Sequence, residues 1–154
     1  MAGRSPLNVR LQRDRIHEVV PRALPPAGCR VCWGGAESVA LAILVAMANG
    51  TRVEQSYAAA AALHRVGIQI GFFLQFGYPG ETREDIELTL KMVRDLMPDD
   101  IGISESYPLP GTKFYEAVKH ELGERENWVD SADLAMLYQV PFRTEFYRQL
   151  HTVL

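Results

Sequence analysis

The run Val66-Gly-Ile-Gln-Ile-Gly-Phe-Phe-Leu-Gln-Phe-Gly-Tyr-Pro-Gly-Glu-Thr-Arg-Glu-Asp85 decides how the chain is read. Its apolar, aromatic-rich part, Ile68 to Phe76, is bounded by Gly67 on one side and Gly77-Tyr78-Pro79-Gly80 on the other. An apolar run of that length between glycine and proline suits a buried strand and is too short for a helix. Thr82 then stands three residues before Asp85, ahead of the periodic apolar positions Ile86, Leu90, Val93 and Met97. A threonine hydroxyl can accept a first-turn N–H, and acids suit the positive end of a helix. The unit is therefore strand, Gly-Pro-Gly turn, capped helix. In parallel α/β sheets such turns lie at the C-terminal strand ends, where ligands bind.

Working outward, the same unit recurs twice. Upstream, Gly28 to Ala36 reads as a strand, followed by an Ala- and Leu-rich helix from Glu37 to Ala48 and a break at Asn49-Gly50. Thr51 and Glu54 have the T-x-x-E spacing of a capping box for a second helix that runs to about His64. Downstream, Ile101 to Tyr107 alternates as a third strand, and Thr112 caps a helix to about Leu122. Two further helical stretches follow, one from Asp130 or Ser131 to Tyr138 and one from Phe142 to Leu154. Strand centres 30 to 40 residues apart, near 33, 73 and 104, match βα units with crossover helices. The expected fold is α/β, a partial TIM-type (β/α) barrel fragment: about three parallel strands with crossover helices, then C-terminal helices. A closed eight-stranded barrel takes about 250 residues, so 154 residues supply part of one. The expected organisation is a basic, Pro-containing arm over 1–26, half of a barrel over 27–122 and a helical extension over 123–154.

Charge and cysteine usage narrow the function classes. The net charge is −3, and the first 30 residues hold six arginines against Asp14 and Glu18, which leaves −7 on the rest. The arm reads as a solvated tail with helical character only from Arg10 to Val20, and the mild overall charge excludes a dedicated nucleic-acid surface. No apolar run reaches the roughly 18 residues of a membrane span, and the N-terminus lacks a signal-peptide core. A cytoplasmic location is the expectation. Cys29 and Cys32 form Cys-Arg-Val-Cys, which could be half of a zinc site or a redox pair. No second pair exists, and side chains three apart on a strand diverge, so buried free thiols are expected and no metal site is assigned.

Three strand ends meet at one rim: Trp33-Gly-Gly-Ala-Glu-Ser38, Gly77-Tyr-Pro-Gly-Glu-Thr82, and Ser104-Glu-Ser-Tyr-Pro-Leu-Pro-Gly-Thr112. Each taken alone is compatible with plain turn chemistry, and Glu37 with dipole compensation at a helix start. Together they mark a ligand site, because glycine lets backbone approach a flat or anionic ligand. Ser-His-Asp order, H-E-x-x-H, a P-loop and G-x-G-x-x-G are all absent.

The ordered set Gly28-Cys29, Trp33-Gly-Gly-Ala-Glu-Ser38, Met47-Ala-Asn-Gly-Thr51 with Glu54-Gln55, Gly77-Tyr-Pro-Gly-Glu-Thr82, and Tyr107-Pro-Leu-Pro-Gly-Thr112-Lys-Phe-Tyr115 resembles radical S-adenosylmethionine enzymes. The similarity covers roughly residues 23–154. It is nearest to the branch with a cobalamin-binding domain that includes the anaerobic magnesium-protoporphyrin IX monomethyl ester cyclase. What the resemblance implies is strands four to six of a (β/α)6 barrel. It also implies S-adenosylmethionine as cofactor, a [4Fe-4S] cluster held elsewhere by Cys-x3-Cys-x2-Cys, and cobalamin in the parent protein. That cysteine motif is absent from this chain. Carried over as cofactor-binding are Glu37, towards the ribose or aminoacyl part, with Ser38, Phe76, Gly77 and Tyr78. Two departures stand out: Val39-Ala40-Leu41 where relatives have Gly-Ser-Gln, and Asn49 where they often carry lysine.

The expectation is thus a fragment of a radical enzyme acting on an organic small molecule, tetrapyrrole-like by analogy. It would be completed by a missing N-terminal half or by self-association through exposed sheet edges. The alternative is a non-catalytic half barrel that binds a cofactor or a partner.

Overall fold

The computed structural model describes residues 7–11, 19–38, 41–46, 53–123 and 138–154. Four strands, β1 (Leu7–Leu11), β2 (Cys29–Glu37), β3 (Gln69–Phe76) and β4 (Asp100–Glu105), form one sheet in the order β1-β2-β3-β4. Every neighbouring pair is parallel. Helix α1 (Val19–Ala23) lies between β1 and β2 in sequence, and α2 (Leu41–Ala46) and α3 (Val53–His64) between β2 and β3. Helix α4 (Arg83–Leu96) links β3 to β4, and α5 (Lys113–Leu122) and α6 (Thr144–Val153) follow. Sequential strands that are also spatial neighbours, each pair joined through helix, are the connectivity of a barrel segment.

The expected barrel fragment with C-terminal helices is what forms, and it has one strand more than the three read from the sequence. The extra strand, β1, lies inside the stretch read as an arm. Its residues Leu-Asn-Val-Arg-Leu alternate apolar and polar, and Val9 packs against the main core. Of the stretch Arg10 to Val20 read as helical, Arg10 and Leu11 pair with β2, which satisfies their backbone groups, Val19 and Val20 open α1, and residues 12–18 lie outside the described residues.

Helices cover one face of the sheet. Cys32, Ile70, Phe72, Leu74 and Phe76 point to that side and are buried with Ala59 and Leu63 of α3, Ile86 and Met92 of α4, and Tyr147 and Leu150 of α6. The opposite face carries Trp33, Gly71, Phe73 and Gly102, in register as Trp33 with Gly71 and Phe73 with Gly102. This is the inner side of the barrel segment.

Two register shifts adjust β2. Leu7 pairs with Cys29 but Asn8 with Val31, so Arg30 is an extra residue against β1. Such a bulge resets the alternation of side chains. It places Cys29 and Cys32 in the same helix-side core, correcting the expectation that three-apart thiols diverge. Both are free and buried, as expected. The second shift sets Gly35 opposite Phe73 and Glu37 opposite Leu74, with Ala36 as the extra residue.

Local chemistry explains the best-defined helix. Thr82 accepts from the Asp85 N–H at 3.2 Å, and the Asp85 carboxylate accepts from the Thr82 N–H at 2.8 Å, a complete capping box. Ile86, Thr89 and Met92 form its buried stripe. Thr112 caps α5 by accepting the Tyr115 N–H at 3.1 Å, without the reciprocal bond of a capping box.

Candidate functional site: the C-terminal strand rim

The rim is built from the residues that end β2, β3 and β4. After Phe76 the chain turns at Gly77 and Gly80, with φ of 78° and 85°, values a side chain disfavours. The turn folds Glu81 back beneath it. One Glu81 carboxylate oxygen accepts the Gly77 N–H at 2.7 Å, and Glu81 is almost fully buried. Burial is what lifts its pKa to about 7, the Gly77 N–H pulling it down and the nearby Asp85 pushing it up.

From the far end of the chain, Tyr138 enters the same place. Its hydroxyl lies 2.7 Å from the Gly77 carbonyl oxygen and 2.8 Å from that of Ser106, just past β4. Ser106 is tied in twice more: its N–H donates to the Phe76 carbonyl at 2.7 Å, and its hydroxyl accepts from the Gln75 amide at 3.2 Å. Gly77 is therefore held through both backbone polar groups. The ring of Tyr138 packs edge-on against Phe114 of α5, which also lies against Tyr78 at 4.9 Å. Val118 and Leu122 of α5 complete this small apolar cluster with Tyr107 and Tyr115. Burial pushes the Tyr138 hydroxyl far above the ordinary phenol range, so it acts as a fixed neutral donor.

On the helix side of the rim, Tyr147 is buried and its hydroxyl meets no hydrogen-bond partner at ordinary distance and angle among the described residues. Burial raises its pKa first, the charges of Glu81 and Glu105 add to the rise, and the nearby Phe142 backbone lowers it.

Of the residues read as cofactor-binding, Gly77 and Tyr78 stand at the turn, Gly77 buried and Tyr78 half-buried. Phe76 ends β3 with its ring in the helix-side core, so its backbone is what meets the rim. Ser38 is buried directly after β2. Glu37 is the last residue of β2, and α2 begins at Leu41. It therefore closes a strand, and its side chain lies outside the described residues. Val39, Ala40, Asn49 and Thr51, and so the T-x-x-E box, also lie outside them, as does the stretch 124–137 read in part as a helix.

Sequence reading missed two participants. Glu81 stands in the rim stretch Gly77–Thr82 without a role assigned to its side chain; its burial against the Gly77 N–H follows from the turn's path. Tyr138 carries no local signal, since it acts 61 residues from Gly77.

The cysteines do not fit an iron–sulfur cluster. There are two, buried among apolar side chains, and burial raises both thiols, Cys32 to about 11. The Cys29 thiol is turned to the Val31 carbonyl. Cluster ligation needs accessible thiolates, which this environment disfavours. Among the described residues no group of His, Cys, Asp and Glu is arranged to hold a metal ion, and no helix is long and apolar enough to cross a membrane. A cleft of about 210 Å³ lined by Pro21, Arg22, Ala62, Arg65 and Val66 lies at the opposite end of the sheet, where β2 and β3 begin.

No family model matches the chain. An uncharacterized methyltransferase of Pyrococcus horikoshii is 32% identical over 117 residues, which are 75% of this chain and 25% of that protein. The radical S-adenosylmethionine methyltransferase TsrM of Kitasatospora setae, solved with tryptophan substrate and a SAM analogue, is 25% identical. It superposes with a TM-score of 0.67 over 79% of this chain and 24% of its own. A second structure of TsrM holds cobalamin and a [4Fe-4S] cluster. Coproporphyrinogen III oxidase of Escherichia coli, a radical SAM enzyme, shares the fold at a TM-score of 0.70 and 17% identity. That match covers 97% of this chain and 31% of the enzyme. The chain thus spans about a quarter of the length of the relatives it matches. Likeness in fold along most of the chain, together with the sequence match to a methyltransferase, supports the radical S-adenosylmethionine superfamily for this protein.

Proposed function

We propose that this chain is the part of a radical S-adenosylmethionine enzyme whose strand ends border the cofactor and an organic substrate. The supporting observation is the rim: four parallel strands deliver their C-terminal ends to one side, and the Gly77 turn is fixed there by Glu81 at its N–H and by Tyr138 at its carbonyl. Glu37 would meet the ribose or aminoacyl part of S-adenosylmethionine, with Ser38 beside it and the Gly77–Tyr78 backbone bordering the adenine. The cluster that cleaves the cofactor would come from cysteines outside this chain, since Cys29 and Cys32 do not fit it. Within the superfamily we place the chain in the cobalamin-domain branch that includes the magnesium-protoporphyrin IX monomethyl ester cyclase, with a tetrapyrrole or another large apolar metabolite as substrate and a cytoplasmic site of action.

Calorimetric titration with S-adenosylmethionine tests the reading. A carboxylate accepting two ribose hydroxyls contributes charge-assisted bonds of about 1.5–3 kcal/mol, so Glu37→Gln should weaken binding roughly tenfold or more. Equal affinity of Glu37→Gln and wild type would remove Glu37 from the site. A second reading, a non-catalytic half barrel that binds a cofactor or docks on a partner, draws on the two buried, protonated thiols. Retained cofactor binding without cleavage, after the chain is combined with a cluster-bearing half, would favour it.

A further inference from the structure

The inner face of the sheet is furnished unlike the packed interior of a closed barrel, which is filled by layers of bulky branched side chains. Here two aromatic rings lie across glycines. A Cβ built on Gly71 would sit 2.5 Å from Trp33 Cδ2, 2.6 Å from Cε3 and 2.7 Å from Cε2. The six-membered ring of the indole therefore rests face-down on the Gly71 backbone, its register partner on the next strand. Phe73 repeats the arrangement one strand further on: a Cβ on Gly102, its own register partner, would meet Phe73 Cδ1 at 2.9 Å. The two rings overlap like shingles, with centroids 4.7 Å apart and planes 30° apart.

Glycine at both seats lets the rings lie down rather than stand up from the sheet. Trp33 and Phe73 remain only partly buried, and next to Trp33 on the same face β2 contributes Gly35, which adds no side chain to the space above. One rung towards the rim the character changes. Gln75 pairs in register with Ser104, the Gln75 amide donates to the Ser106 hydroxyl, and the Ser104 hydroxyl donates to the Leu74 carbonyl. The inner face is thus an aromatic floor below a polar row, with the Gly77 turn above both.

We infer that Trp33 and Phe73 form a stacking platform that selects a flat, conjugated ring as substrate, with a hydrogen-bonding substituent directed to Gln75 and Ser104. The inference deepens the radical-enzyme reading and rests on it. The face of an aromatic ring favours another flat π-system in offset stacking over a saturated ring of equal volume. The polar row would turn the ring's substituted edge towards the rim.

The test uses the full chain and two probes of nearly equal size, 2-naphthoate and decahydro-2-naphthoate. The chain has two tryptophans, Trp33 and Trp128, so the indole N–H signals are assigned with Trp128→Phe and followed by NMR. Expected is a shift of the Trp33 signal with naphthoate, an affinity at least fivefold better than for the saturated probe, and loss of that preference in Trp33→Leu. Gly71→Ala, which must displace the indole, should abolish the preference too, and Phe73→Leu should reduce it. Thermal melts of Trp33→Leu identify any loss due to unfolding, and Phe73→Leu then serves as the variant read. Equal affinity for both probes, or a shift confined to Trp128, overturns the inference. S-adenosylmethionine added to the same samples separates the two readings. A response at Gly77 without any aromatic preference sinks the platform alone. An aromatic preference without a Gly77 response leaves the platform standing and sinks the cofactor reading.

Discussion

The Tyr138 hydroxyl lies within 2.8 Å of two backbone carbonyls, those of Gly77 and Ser106, which end neighbouring strands. A phenol has one proton, so the two acceptors share it in a three-centre bond. A side chain beyond the last βα unit thereby ties β3 to β4 at the rim. Tyr138→Phe removes that donor and leaves two buried carbonyls short of a partner. We expect a loss of about 1–2 kcal/mol in urea unfolding and faster hydrogen exchange at Gly77 and Ser106 with α4 unaffected. An unchanged midpoint would show that the carbonyls find water instead.

Glu81 should make stability depend on pH in a direction unusual for a carboxylate. Its folded pKa, about 7, is above the ordinary 4.5, so the folded state holds a proton that the unfolded state has released. Its contribution is therefore complete below about pH 4.5 and declines as pH rises to about 7. The rise corresponds to roughly 3 kcal/mol. Glu81→Gln keeps an acceptor for the Gly77 N–H and cannot ionise. Urea melts from pH 4.5 to 8 should show wild type losing stability relative to this variant across that window. Parallel curves for the two proteins would mean that Glu81 stays charged.

Tyr147 carries the opposite lesson, a buried hydroxyl with no partner among the described residues. Replacing an unsatisfied polar group by an apolar one of the same shape is neutral or stabilising. Tyr147→Phe should raise stability by up to about 1 kcal/mol, read from the unfolding midpoint. A clear loss would reveal a partner for the hydroxyl.

Gly80 separates backbone strain from crowding. A Cβ there would meet no atom within 4 Å, yet its φ is 85°. Gly80→Ala should therefore cost about 1–2 kcal/mol through conformation alone, and Gly80→Asn less, because asparagine tolerates positive φ. A melting temperature unchanged by alanine would mean that the turn relaxes to negative φ.

Much of this fold is written in local sequence. The Thr82 and Thr112 caps, the Gly77–Gly80 turn and the apolar run of β3 give strand, turn and helix within a few residues, because each depends on near neighbours. What escapes is set at a distance. Leu7–Leu11 becomes a strand only because β2 offers it an edge, and the bulge at Arg30 that unites Cys29 with Cys32 is a feature of that pairing. The rim is likewise half legible: glycine and proline mark the turn, whereas the buried path of Glu81 and the return of Tyr138 emerge only when the C-terminal segment packs back. Trp33 and Phe73 look like ordinary strand aromatics until register places Gly71 and Gly102 beside them.

The central claim, that the strand rim borders S-adenosylmethionine, is tested most directly by titrating the cofactor into the isotope-labelled chain and mapping backbone amide shifts. The account predicts changes at Glu37, Ser38, Gly77 and Tyr78, with His64, Gly67 and Asp99 at the other end of the sheet unmoved. Shifts confined to that other end, or none at saturating cofactor, would contradict it.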